Sequence, residues 1–310
     1  MVEAVGDHAL GLIFHHFVGG EYPFIQGALK AEELHRLLSS MPRGHLLSPE
    51  EWVARSIEGR LDPRDRCLTF DDALASQIDI ALPVLDDLGL KAFFFVYSSV
   101  FRGKLEMFEL IRYFRNTRFG SVDAFYDAFY EALSQRADWP EIERTRDSTA
   151  AFEHLSAYAF YSEADRRFRY VRDRILPASD YDATCLTMMN RLNYDLAEAA
   201  RAIWMSDDDL RRLAREGHRV GLHSDTHPTN LGTWRADLQL EEYSINLHHL
   251  TDVLGARPDT VAYPSGSYDD ATLAIMRDFG IVVGFMSGHQ GDPRNLLEQP
   301  RLDWTQIEKD

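Results

Sequence analysis

Two aspartates stand side by side where an apolar run ends, in CLTFDDAL, residues 67–74. Adjacent carboxylates repel, and a strand end offers little water to relieve them. Either Asp71 and Asp72 form a turn that caps the next helix, or something positive sits beside them. Two histidines four residues apart, His223 and His227, follow another apolar run in VGLHSDTH. Such pairs are common as plain surface or core residues. If the segment turns like a helix, however, both imidazoles face one point. With one carboxylate added, the set is His, His, Asp with an open position. That is the composition of a catalytic metal site rather than a closed structural one. A further pair, His15 and His16, ends the run GLIFHHF, and in a strand His16 alternates to the other face.

The elements that must position these residues are short, β-rich and nearly continuous in apolar character. They are ALGLIFHHF, RCLTFDD, KAFFFVY, RVGLHS, TVAYPSG, GIVVGFM and EQPRLDW. Such runs suit strands buried on both faces, as in parallel sheets. Helical patterns lie between them. Residues 73–89 carry apolar residues at helical spacing and stop at Gly89, with Pro83 predicting a kink. SDDDLRRLAREG opens on Ser206 as N-cap and closes at Gly217; DDATLAIMRDFG repeats the grammar from Asp269 or Asp270 to Gly280. Alternating strands and helices argue for an α/β fold with a parallel sheet, and the size suits a barrel. In such folds ligands bind at the C-terminal strand ends, where the aspartates and both histidine pairs fall. From 104 to 204 the rhythm breaks. This section is polar, aromatic-dotted and amphipathic, and reads as a helical insertion within a single domain spanning 1–310.

The 310 residues carry a formal net charge of −17 and are 45% hydrophobic. An acidic surface argues against a nucleic-acid partner, since phosphate binding needs basic residues. Cys67 and Cys185 are far apart and match no metal spacing, so a reducing compartment is expected. The start of the chain shows no basic segment, signal peptide or membrane span, which gives a cytoplasmic setting as the expectation. Nothing in the sequence sets the oligomeric state.

Three of these strings together resemble the polysaccharide deacetylases, the NodB-homology fold of carbohydrate esterase family 4. TFDDA is similar to the family's T-F-D-D-G, HSDTH to its H-[S/T]-x-x-H, and AYPSG to the weaker form of its third motif. The resemblance covers roughly 8–100 and 206–304, and implies a distorted (β/α) barrel of seven parallel strands with the helical insertion. It implies Asp71 as general base and Asp72, His223 and His227 as ligands of a divalent metal. The metal is expected to be Zn²⁺, with Co²⁺, Ni²⁺ or Mn²⁺ as substitutes. The third string brings Tyr263 and Ser265 to the substrate, with the Ser265 N–H on the oxyanion. The expected reaction is removal of an N- or O-acetyl group from a sugar or polysaccharide in surface-glycan metabolism.

The chain departs from the family pattern at three places. Ala73 stands for the motif glycine. Ala262 stands for the arginine that orients the catalytic aspartate, and Arg301, on the last strand, is our candidate to replace it. The family's late histidine, the general acid, has no counterpart near the C-terminus. GLIFHHF resembles the N-terminal strand that supplies it in one subgroup, which assigns His15. Asp225 reads as a turn former or a partner of the metal residues. Phe125, Tyr126, Phe129 and Tyr130 read as core of the insertion, whereas Trp234 and Trp304 could line a sugar groove. Two other functions fit the same residues: hydrolysis of a non-sugar amide or cyclic imide, and a non-catalytic carbohydrate- or metal-binding protein, which Ala73 and Ala262 favour.

Overall fold

A computed structural model describes residues 8–25, 27–156, 161–288, 292 and 294–306. The chain divides into two compact units, one made of 1–106 with 201–310 and the other of 107–200. The first unit holds every described strand: β1 (Leu10–Phe14), β2 (Leu46–Leu47), β3 (Arg66–Asp71), β4 (Phe93–Val96), β5 (Arg219–Leu222), β6 (Thr260–Ala262), β7 (Val283–Phe285) and β8 (Arg301–Asp303). Seven of them run side by side, all parallel, in the order β7-β6-β5-β4-β3-β1-β8. The two-residue β2 pairs with the start of β3, on the side that β4 takes over further along. Backbone bonds from 284–288 to 296–301 link β7 toward β8 and nearly close the barrel. The distorted (β/α) barrel is therefore the observed architecture.

Strand parity decides what faces the barrel interior. Leu68 and Phe70 of β3 pack outward with Phe94 and Val96 of β4, in the main core beneath the helices. Cys67 faces the other way, into a smaller cluster with Phe93, Phe95, Ala262 and Phe285. Thr69 and Asp71 share the parity of Cys67, so Asp71 ends β3 on the inner side.

The helix after β3 shows the predicted break. A π segment, Gln77–Ala81, passes into the helix Leu82–Leu88, with Pro83 in the first turn of the latter and Gly89 left-handed at its end (φ 63°). Proline has no N–H to give to the turn before it, and the wider π turn absorbs the mismatch. Ser206 and Asp269 both cap their helices through capping boxes. The second unit, 107–200, is helical throughout its described secondary structure. Phe125 and Phe129 are fully buried there, and Tyr126 stacks on Phe168 with 4.1 Å between ring centres.

Candidate active site and metal centre

The end of β3 is strained where the chemistry gathers. Asp72 and Ala73 hold φ of 75° and 54°, in the left-handed region that side chains seldom adopt. The turn is fixed by backbone bonds: Asp72 N–H donates to the Phe95 carbonyl at 3.1 Å, and the Ala73 carbonyl accepts from Met205 at 2.8 Å. It swings the Asp72 carboxylate toward His223 and His227. Asp72 Oδ1 stands 3.5 Å from His223 Nε2 and 3.4 Å from His227 Nε2.

This triad fits a metal ion. Ligands bonded at about 2.0–2.1 Å to one tetrahedral ion stand about 3.4 Å apart, the spacing found between the carboxylate and each ring nitrogen. Asp72 Oδ1 is buried and has no hydrogen-bond partner among the described residues, a costly state unless a cation completes it. His223 Nδ1–H donates to the Ala262 carbonyl at 2.8 Å, which fixes the tautomer and leaves Nε2 free to ligate. Burial alone would push the Asp72 carboxyl up. His227 and then His223 outweigh it and hold the group well below the usual carboxylate value.

Asp71 has a different environment. Arg301 NH1 and NH2 bond its two oxygens at 2.7 and 2.9 Å, a two-pronged pair buried inside the barrel. The guanidinium also donates to Thr69 Oγ1 at 3.1 Å and lies over the Phe95 ring. Its stem passes over Gly11, where an added Cβ would come within 3.0 Å of Arg301 Cγ. Glycine at that point of β1 leaves the arginine its path. Burial raises the Asp71 pKa, but Arg301 and then His223 outweigh it, so the carboxyl is held below its ordinary value.

The other candidates divide. His15 follows β1, whose register sets Phe14 beside Phe70, so His15 comes level with Asp71. It lies near enough to Asp71, Asp72 and His227 to act on them electrostatically. Ser265 sits in a tight turn at φ 51°, followed by Gly266 at 67°. Tyr263 is a correction. It is fully buried, its hydroxyl donates to the Leu297 carbonyl at 2.8 Å, and its ring stacks on Tyr268. Its side chain has no face for a substrate. Asp225 is buried too, accepting from Ser98 Oγ at 2.8 Å and from Arg102, and so ties the loop after β4 to the histidine loop. Trp234 and Trp304 each spend their ring N–H on the protein, on Asn230 and on the Gly27 carbonyl.

Sequence reasoning passed over Gln77, Glu242 and Asn246. Gln77 is buried and donates to the carbonyls of Asp71 (2.6 Å) and His15 (3.0 Å), so it joins the ends of β3 and β1. Asn246 and Glu242 hold the histidine loop from a neighbouring helix. No spacing rule marks these residues. A second donor group, Asp86, Glu216 and His218, lies at the opposite ends of the strands. There His218 Nδ1 accepts the Ala92 N–H, which leaves the proton on Nε2, beside the Lys91 ammonium at 3.4 Å. A protonated nitrogen next to a cation is no metal ligand.

Residues 173–284 match the family model described as polysaccharide deacetylase, a stretch that contains both histidines and the AYPSG turn. No curated protein matches the chain in sequence. Solved structures extend the likeness to nearly the whole chain. A deacetylase of Streptococcus pyogenes in complex with acetate is 16% identical, with a TM-score of 0.56 over 96% of this chain and 93% of that one. IcaB from Ammonifex degensii is 18% identical, with a TM-score of 0.55 over 97% and 93%. A de-N-acetylase from Aggregatibacter actinomycetemcomitans is 13% identical, with a TM-score of 0.56 over 97% and 96%. The chain thus has the fold of these deacetylases, and the family match falls on two of the three motifs, HSDTH and AYPSG.

Proposed function

We propose that this site hydrolyses the acetyl group of an N-acetylated or O-acetylated sugar or polysaccharide in surface-glycan metabolism. The observation that carries the reading is the split of two adjacent aspartates between two partners. Asp72 turns to the histidine pair, and Asp71 is gripped by Arg301. The family match and the deacetylase names of the structural relatives support it.

Asp72, His223 and His227 would hold the divalent cation, which when bound supplies Lewis-acid polarisation of the acetyl carbonyl. Asp71 takes the proton of the attacking water. Its two oxygens each accept one bond from Arg301 and keep further lone pairs for that proton. The arginine fixes the plane of the carboxylate and keeps it ionised. As the carbonyl carbon becomes tetrahedral, negative charge gathers on its oxygen, and the Ser265 N–H is the donor for it. His15, level with Asp71, protonates the departing amine or alcohol. The replacement of the motif arginine by Ala262 suggests a protein that binds without turnover. Arg301 on both Asp71 oxygens supports a working base instead.

The test is acetate release from N-acetylglucosamine oligomers and acetylated glycans with added Zn²⁺ or Co²⁺. Asp72→Ala and His223→Ala should lose the metal. Asp71→Asn should retain it and lose about 10²–10⁴-fold in turnover, the usual contribution of a general base. Equal metal loss in Asp71→Asn would sink this division of labour. Bound metal with no acetate released across the panel would favour the binding-only reading.

A further inference from the structure

The helix Ala236–Leu254 sets a polar stripe against the loop that carries both histidines. Glu242 and Asn246 lie one turn apart on it and share a face. The Asn246 side chain accepts the His223 N–H at 3.0 Å and donates to the Val96 carbonyl at 2.9 Å. Glu242 does more. Its Oε2 accepts the N–H groups of Asp225 (3.0 Å) and Thr226 (2.8 Å), and its Oε1 accepts the Thr226 hydroxyl at 2.7 Å. Two successive backbone N–H groups aimed at one point form a nest for an anion, and here the anion is the protein's own carboxylate.

The loop needs such a grip. Ser224 and His227 hold φ of 64° and 55°, so left-handed residues bracket Asp225 and Thr226. Conformations of this kind persist only where the surroundings over-determine them. Ser224 Oγ accepts the His227 N–H at 3.1 Å, and the Asp225 carbonyl accepts from Ser99 at 2.9 Å. Those bonds are neutral. Glu242 supplies charge-assisted bonds, which are roughly twice as strong.

We propose that Glu242 is a positioning residue for His227. By locking the backbone of 225–226 it sets where the His227 ring stands against Asp72 Oδ1, and so preorganises the three-ligand set. It touches neither substrate nor any ligand atom. The proposal rests on the metal reading given above.

The experiment is a Zn²⁺ titration of the full chain, stripped of metal, in competition with a chromophoric chelator. It is run well below the melting temperature of every variant, with the fold checked by near-ultraviolet circular dichroism. Glu242→Ala should weaken zinc binding by about 10–100-fold, the usual effect of losing a partner behind a metal ligand. Glu242→Gln, which keeps the acceptor but loses the charge, should fall between Glu242→Ala and the parent. Its amide oxygen still accepts both N–H groups, and the Thr226 hydroxyl can turn to accept from the amide. A merely structural Glu242 would lower the melting temperature and leave the zinc affinity of the folded protein unmoved, and that result overturns the proposal. If Glu242→Ala does not fold, Glu242→Asp carries the test. It keeps the charge and shortens the reach by one methylene, so parental affinity in that variant overturns the proposal. A parent chain with no zinc affinity overturns the metal reading and this proposal with it. Equal affinity in parent and Glu242→Ala overturns this one alone.

Discussion

At the scale of single residues, the informative contrast is between Asp71 and Asp72, neighbours in sequence with unlike partners. Breaking the buried Asp71–Arg301 pair leaves a lone charge inside the barrel. Arg301→Met should therefore cost about 3–5 kcal/mol in urea unfolding at neutral pH, and Asp71→Asn added to it should recover much of that. The pH dependence has a definite sign. In the parent, Arg301 holds the Asp71 carboxyl below its ordinary value, so the pair's contribution is present above the usual carboxylate range and fades as acid protonates it. In Arg301→Met burial is opposed by His223 and His15 but no longer by the arginine, and protonation then relieves the site. The deficit relative to the parent should narrow on acidification; a deficit that widens would contradict the assignment. Ala73 is a milder case. Glycine in its place would release a left-handed alanine, a gain of about 1–2 kcal/mol. It would also lose a buried methyl worth about 0.8 kcal/mol and add chain entropy of about 0.5–1 kcal/mol. These terms nearly cancel, so Ala73→Gly should leave urea stability within about 1 kcal/mol of the parent and zinc binding unchanged.

At the scale of elements, what could be read in the sequence follows from burial. Barrel strands are covered on both faces, so their apolar runs are nearly unbroken and visible as such. Ser206, Asp269 and Gly89 announced helix ends because caps are local chemistry. The two-residue β2 is too short to carry a period, whereas the helix Pro49–Ile57 did carry a local signal, Ser48 and Glu51 in a capping box with Pro49 in the first turn. The residues that the structure brings together at the barrel mouth, Asp72, His223 and His227, stood out in the sequence through their spacing. Tyr263 was misplaced because adjacency to the turn says nothing of which way a ring points. Gln77 was invisible for a related reason: its value lies in two carbonyls brought together by packing. Gln77→Leu keeps the helix but strips a donor from both strand ends. It should cost about 1–3 kcal/mol in urea unfolding while zinc affinity stays near the parental value. A large loss of zinc affinity would show that β1 and β3 support the metal residues more directly.

At the scale of the whole molecule, the chain brings distant segments together at one barrel mouth. None of the described helices is long and apolar enough to cross a membrane. The acidic balance of −17 suits an uncharged or cationic ligand better than a polyanion, in line with the acetylated sugar proposed above. The pairing of the first strand with the last adds a matter of timing. Arg301 on the last strand meets Asp71 across 230 residues, whereas Asp72, His223 and His227 stand at the ends of β3 and β5, which are joined through β4 without β8. Contacts of long sequence separation form late, because the intervening chain must first be ordered. On refolding, zinc capture should therefore return before acetate release, with an interval in which the protein is loaded yet inert. Stopped-flow refolding with a zinc-sensitive dye beside an activity assay would measure that lag, and simultaneous recovery would refute it.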